Sequence, residues 1–436
     1  MGSGGRAVRR FLRHFFRVCL ASVTLAAGAW AQSAPLTLAD CVRLALDARG
    51  KLSLAQNDLR IAQQGVVAAR TGFLPQVQAS GGYTYNTPAR TAGSPQPQQF
   101  IALNAVHEYV TQFGASVAID TSGKLRAELT RARTEREAAR LSLKVTERDL
   151  RREVAAAYYR LVLARRLVEV AKSTLAEAQG FESRARKLNA GGEAARADVV
   201  KAQAEAAFLQ QALQGAELDA ETANHDLASY WTADVGAPLN VVDPFDAPLP
   251  QPEGAVLSDA YMRRPEFQVF DAQRLGLRAD VSHARAELLP QASLNWEYGI
   301  DASRYSWAYR GQALFATVNV PLFDWFKARS ATRQSEARLA SFDISREMAR
   351  RDLSRDYQTA IARARSNWSQ IETAREQVRL SEENYRLAKL RYEGGEGLAL
   401  DVVSAQSQLA QARGNYFSAI SAYLNARADF EVASGQ

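Results

Sequence analysis

Cysteine is nearly absent from this chain of 436 residues: there are two, Cys19 and Cys41. Histidine is almost as scarce, with His14, His107, His225 and His283 scattered singly. No cysteine or histidine cluster has the spacing of a metal site. No nucleophile–base pair or phosphate-binding loop rises above background, so an enzyme is not expected. Long apolar runs are missing too. The longest, Val18 to Ala29, is too short to span a bilayer as a helix.

Acid is absent from the first 31 residues, which carry Arg6, Arg9, Arg10, Arg13 and Arg17 ahead of that apolar run. Ala29-Trp30-Ala31 follows the small-x-small rule for signal peptidase, so residues 1–31 read as a removed export signal. The signal holds five of the 54 basic residues and none of the 47 acids, which leaves 49 against 47, a net of +2. The basic character therefore belongs mostly to the signal and gives no argument for nucleic acid. Cys41 is the one cysteine left, so no intrachain disulfide is expected.

Proline and glycine are missing where helices are to be expected. Lys124 to Leu188 contains no proline and only Gly180; Lys327 to Tyr392 contains neither. In the first stretch Val154, Leu161, Val168 and Leu175 recur every seven residues. Leu150, Ala157, Ala164 and Ala171 precede them by four, the second seam of a coiled coil. Ile371, Val378, Tyr385 and Tyr392 keep the heptad in the second stretch. At about 1.5 Å per residue each helix reaches roughly 100 Å. Both stop at a double glycine, Gly191-Gly192 and Gly394-Gly395, which suits a left-handed helix end. A second helix follows each, giving two long antiparallel hairpins.

Four stretches alternate with period two: Gln76 to Asn86, Tyr109 to Ile119, Gln291 to Ile300 and, less cleanly, Leu314 to Val320, where Phe315 and Arg310 are out of phase. Strands of about ten residues, apolar and aromatic on one face, are the pattern of an outer-membrane β-barrel. Four strands close no useful barrel, and lipid tolerates no open sheet edge, so several copies must combine.

The chain is also written twice. RTGFLPQVQASGGYTYN returns as RAELLPQASLNWEYGID, with Pro75 and Pro290 offset by 215 residues. LNAGGEAARADVVKAQAE returns as YEGGEGLALDVVSAQSQ, with Asp198 and Asp401 offset by 203. Similar offsets over nearly the whole chain mean a tandem duplication, with a period far too long for a solenoid. The first repeat spans residues 32–232, with its β-hairpin at about 74–120 and its helical tip at 189–193. A connector at 233–254 holds Pro238, Pro244, Pro248, Pro250 and Pro252, excludes regular structure, and is expected to wrap the helical body. The second repeat spans residues 255–436, with its β-hairpin at about 289–322 and its tip at 393–397. The proline-rich stretch Thr87 to Gln99 reads as an extracellular loop.

This order, with the strand entries FLPQ and LLPQ, the strand exits IDTSGKLRAEL and FDWFKARS, and the stretch RYEGGEGLALDVVSAQ, resembles the TolC-type outer-membrane efflux protein family almost end to end. The resemblance implies a mainly α chain with a transmembrane β-barrel portion, four strands per protomer, in a homotrimer with a twelve-stranded barrel and a periplasmic helical tube. It implies a passive exit duct with no cofactor, joined to an inner-membrane pump through a periplasmic adaptor (membrane fusion) protein. By the same resemblance, Asp401 and its counterpart Asp198 ring a periplasmic gate. Tyr392 matches a tyrosine that hydrogen-bonds across the closed tip. Ser404 stands where a second acidic ring is expected, and Gly397 where a latch arginine is expected. Asn189, Gly191, Gly192, Glu193, Gly394, Gly395 and Glu396 are the residues expected to dock the adaptor. A helix-start acid is the plainer reading of both aspartates, and a heptad seam that of Tyr392. A non-pore periplasmic coiled-coil scaffold or surface adhesin explains the heptads but not the strands; a stand-alone porin explains the strands but not the helices.

Overall fold

The computed structural model describes residues 35–86, 88–89, 98–99, 106–252 and 259–435. The stretch read as an export signal lies outside the described residues, as does most of the proline-rich loop at 87–99.

Two single helices run from the sheet to the tips, and they are the glycine-poor stretches. In chain order the main elements are α1 (Leu38–Asp47), α2 (Lys51–Thr71), β1 (Gln76–Tyr85), β2 (His107–Ile119), α3 (Lys124–Ala190), α4 (Arg196–Ala228), α5 (Pro265–Ala286), β3 (Gln291–Ala302), β4 (Arg310–Asn319), α6 (Lys327–Glu393) and α7 (Ala399–Ser434). Helices α3 and α6 have 67 residues each. Of the expected seam, Leu150, Val154, Ala157, Leu161, Ala164 and Leu175 are buried, and Val168 and Ala171 pack against a separate cluster around Leu175. No described helix is long and apolar enough to cross a membrane.

Three details differ from the sequence reading. The helix expected before the first hairpin is two helices, broken at Ala48-Arg49-Gly50, with Thr37 capping α1 through Asp40 N at 3.2 Å. Strand β4 begins at Arg310 rather than Leu314 and ends at Asn319. The connector is not wholly irregular: Val241 forms a single parallel bridge with Leu36. The connector does lie along the helices, pinned by side chains from below. Tyr158 Oη donates to the Val242 carbonyl at 2.5 Å, Tyr423 Oη to that of Pro250, and Arg165 to that of Leu239. Arg166 pairs with Asp243 and Asp246, and Phe245 is buried in the largest core cluster beside Val154, Leu161 and Ile420. Free Cys41 sits in that cluster, where burial pushes its thiol up to about 11 and keeps it unreactive.

The four strands form one antiparallel sheet in the order β1-β2-β3-β4. The register puts all the apolar alternations on one face: Val77 opposes Ala115, Ala115 opposes Trp296, and Trp296 opposes Leu314. Phe315 opposes Asn295 on the other face, and Arg310 opposes Ile300 on the apolar face, at the end far from the helices. Below the sheet the helices that feed these strands pack in the same order, α2-α3-α5-α6. Nearer the tips the order is α4-α3-α7-α6. One layer therefore runs from strands to tips, and its two margins are β1, α2 and α4 on one side and β4 and α6 on the other.

A buried ion cluster ties α5 to α3. Arg148 grips Glu266 with two hydrogen bonds (2.7 and 3.0 Å), and Arg264 adds two more at 2.5 and 3.2 Å. Burial alone would raise the Glu266 carboxyl, but the bonds from Arg148 and Arg264 outweigh it and bring the group down to about 2. The sign follows: the stabilisation is complete above the unfolded value of 4.5 and is lost as pH falls towards 2. A shift of this size corresponds to about 3 kcal/mol. Glu266→Gln should cost about that much in the detergent-solubilised protein at pH 7 and nothing comparable near pH 2. Equal unfolding midpoints for variant and parent at pH 7 would contradict it.

Candidate functional site at the helical tips

Both tips are built by the same device. At the end of α3, Gly192 N donates to Asn189 O (3.0 Å) and Glu193 N to Leu188 O (2.9 Å). At the end of α6, Gly395 N donates to Tyr392 O (3.1 Å) and Glu396 N to Arg391 O (2.9 Å). This is a Schellman end, and it needs a left-handed residue. Gly192 and Gly395 supply it, at φ +81° and +78°, while Gly191 and Gly394 remain helical at −80°. Gly191, Gly192, Glu193, Gly394, Gly395 and Glu396 are all exposed at the ends of the hairpins.

The four helix ends meet in one apolar cluster. Phe181 and Ala185 come from α3, Ala202 from α4, Tyr392 from α6, and Ala399, Val402 and Val403 from α7. Phe181 and Tyr392 meet edge to face at 5.1 Å. An ion pair between Arg184 and Glu393 crosses from one repeat to the other. Higher up, Gln406 Nε2 donates to Thr174 O at 2.8 Å in a fully buried contact, and Arg413 bridges Glu177 and Glu382, each at 3.2 Å. The two hairpins are thus joined by both packing and charge.

The expected gate residues separate into two environments. Tyr392 is buried, and its hydroxyl makes no hydrogen bond among the described residues. Burial, then the nearby Asp198 carboxylate, pushes the Tyr392 phenol up. The structure therefore brings Tyr392 of the second repeat to half-buried Asp198 of the first. Asp401 is exposed in the first turn of α7, with Oδ2 at 3.5 Å from Leu398 N. Its position also fits the helix dipole. Ser404, one turn on, is exposed on the same side.

Two features escaped the sequence reading. The counterpart of Tyr392 in the first tip is Asn189, which turns its amide to the Ala194 carbonyl at 2.8 Å instead of entering the cluster. At Gly397, a Cβ would stand 2.9 Å from Tyr392 N and 3.1 Å from Arg391 C. The position expected for a latch arginine thus has no room for any side chain, because the α6–α7 turn folds back onto its own helix end. Nothing in a single glycine could have signalled that. Among the described residues no group of acids, histidines or cysteines could hold a metal ion.

A family model described as outer membrane efflux protein matches residues 41–233 and 256–436. The chain is 24% identical over 387 residues to the pyoverdine export outer membrane protein OpmQ of Pseudomonas putida, covering 88% of this chain and 82% of that protein. It is 23% identical over 392 residues to the cobalt-zinc-cadmium resistance protein CzcC of Cupriavidus metallidurans, covering 88% and 87%. The CmeC outer membrane channel of Campylobacter jejuni has the same fold, with a TM-score of 0.82 at 17% identity over 91% of this chain and 85% of that one.

Proposed function

Because the chain belongs to the outer membrane efflux protein family, we propose that it is the exit duct of a tripartite export system, a passive homotrimeric channel coupled through a periplasmic adaptor to an inner-membrane pump. The observation that carries this reading is the pair of matched open margins. Every residue of β1 and of β4 is exposed, and among the described residues neither strand has a second neighbour in the sheet. The helices continuing those margins carry unpartnered apolar side chains: Leu54 and Ile61 on α2, Phe208 and Leu218 on α4, Ile344, Met348, Leu380 and Leu390 on α6. Different surfaces on the two margins suit a head-to-tail ring, which closes when the rotation permits. Joining β1 of one copy to β4 of the next removes every sheet edge and turns the apolar face outward to lipid. The number three comes from the family, and three such sheets give a barrel of about twelve strands, wide enough for an aqueous lumen.

A non-pore scaffold would leave both strand margins and the apolar sheet face in water. Cross-linking in whole cells followed by fractionation tests the choice. An outer-membrane trimer is expected; a soluble periplasmic monomer would overturn the duct.

Within this reading the tips form the periplasmic mouth, and Asn189 to Glu193 and Glu393 to Gly397 meet the adaptor. Asp401 rings the constriction, repeated by the threefold axis, with only Ser404 beyond it. Exposed clustered carboxylates attract cations and repel one another as the mouth narrows. Asp401→Ala should cause a severalfold fall in cation selectivity in single-channel recordings and weaken block by multivalent cations. Asp198→Ala, removing a carboxylate already set beside Tyr392, should do less. Unchanged selectivity and block in Asp401→Ala would leave that residue as a helix-start acid only.

A further inference from the structure

The helical hairpin of the second repeat has two faces of opposite chemistry. On one, Trp368, Ile371 and Arg375 of α6 line a cavity of about 360 Å³ under the connector at Phe245 to Leu249. Phe417 and Tyr423 of α7 turn the same way, Phe417 against Phe245 and the Tyr423 hydroxyl to the Pro250 carbonyl. By helical periodicity Thr373, Gln377 and Asn384 lie on the opposite face of α6, with Ser381 beside them. Gln408, Gln411, Asn415 and Ser418 lie on the opposite face of α7. None of these is charged. From Val402 to Ala426 the single charge is Arg413, and it goes to Glu177 and Glu382 instead.

The uncharged rows meet in a groove of about 790 Å³, lined by Thr373, Gln377, Leu380, Ser381, Asn384 and Gln408. Asn384 Nδ2 donates to Gln408 Oε1 at 3.3 Å across it. Glu372 and Glu376 also line it, each held at 2.6 Å by an arginine three residues on, Arg375 and Arg379. What the groove offers is amide and hydroxyl groups, about one to each helical turn of 5.4 Å. The first repeat builds the same hairpin without this row. Its α3 starts at Lys124 and α6 at Lys327, an offset of 203, so the matching positions are Val170, Thr174, Ala178, Phe181 and Glu205. Thr174, Ala178 and Phe181 are buried. The row is therefore no requirement of the fold.

A belt inside the tube would obstruct it, so the connector side is the outside of the duct and the opposite face its lumen. We infer that the α6–α7 groove is a cargo-binding site in the lumen, fitted to a neutral chain that donates and accepts hydrogen bonds in turn, as a peptide backbone does. Thr373 to Asn384 spans about 17 Å, the length of about five residues of extended peptide. A carboxamide meets a peptide unit with one donor and one acceptor. Each such bond replaces one to water and holds weakly, which suits a duct that must release what it takes up. Each protomer contributes one groove, from the second repeat alone. The inference rests on the duct reading, and the experiment separates the two.

The full-length protein is placed in a planar lipid bilayer, and single-channel current is recorded with hexaglycine, blocked at both ends, on the side of the tips. Expected are brief interruptions whose mean duration falls about fivefold in Gln377→Leu and in Gln408→Leu, the effect of one hydrogen bond lost. Polyethylene glycol of the same mass, which has no donor along its chain, should cause shorter interruptions than the peptide. Equal ones would show obstruction by size alone and overturn the site. Interruptions absent from the parent, or unchanged in both variants, overturn the site and leave the duct. A protein that opens no channel overturns the duct and the site together. Ser381→Cys gives a second measure: a charged methanethiosulfonate reagent should react there and lower the conductance, while Cys41, the other cysteine among the described residues, is buried. Reaction without a change in conductance places the groove outside the lumen, and no reaction places it under a neighbouring copy; either result refutes the inference.

Discussion

Gly299→Ala should abolish accumulation of the protein in the outer membrane, whereas Gly311→Ala, at the position paired with it across β3 and β4, should not. The two glycines differ in their surroundings alone. A Cβ at Gly299 would stand 2.0 Å from Thr111 O and 2.7 Å from Gln112 Cα, both backbone atoms of β2; at Gly311 it would meet nothing within 4 Å. Backbone cannot rotate aside as a side chain can, so β2 and β3 must separate. Overpacking of this kind costs about 1–3 kcal/mol where neighbours relax, and here the neighbour is the ladder itself. The strands also hold each half of the sheet to the other, since β2–β3 is the pairing between the repeats. Heat-modifiability on gels and outer-membrane fractionation would read the result. Wild-type levels of folded Gly299→Ala would show that the close approach is not needed for assembly.

Gly395→Val should remove efflux while leaving the proposed trimer and its membrane insertion intact, and Gly192→Val should do the same. Valine at φ near +80° is disfavoured both by its β-carbon and by its branching. A left-handed conformation costs an L-residue about 1–2 kcal/mol, too little to unfold a body with so large a buried core. The turn itself would change instead, misplacing Glu193 or Glu396. Gly394→Ala is the control: its φ is −80° and its Cβ would lie at ordinary contact distance, 3.5 Å from Leu390 O. Drug-susceptibility or export assays beside trimer cross-linking would check this. Full efflux in both valine variants would remove the tips from the mechanism.

The long elements were legible because their limits are chemical. Helices α3 and α6 end within two residues of the expected points, since a double glycine both stops a helix and supplies the left-handed turn. Strand identity was legible because alternation survives in β1, β2 and β3, and weakens only in β4. What stayed hidden depends on through-space neighbours. Gly299 and Gly311 look alike in sequence, as do Gly394 and Gly397, and only the opposing backbone distinguishes them. Asn189 and Tyr392 occupy matching places in the repeats but face different surroundings. The break at Ala48-Arg49-Gly50 passed unseen because one glycine is a weak stop. At the candidate gate, Asp401 was proposed from the resemblance alone, while the approach of Asp198 to Tyr392 required the crossing of the two hairpins.

The pinned connector has a mechanical consequence. Tyr158, which holds it, lies in the middle of α3, 32 residues above Ala190 at the helix end. That span is about 48 Å, so a tilt of about 5° around the pinned level would carry a tip sideways by about 4 Å. Each hairpin below the belt is thus a stiff lever with its fulcrum at the connector. Helix α3 continues above that level to Lys124 at the sheet, so a tip that swings while the sheet end stays fixed must bend the helix at the pinned level, and the connector sets where that bend falls.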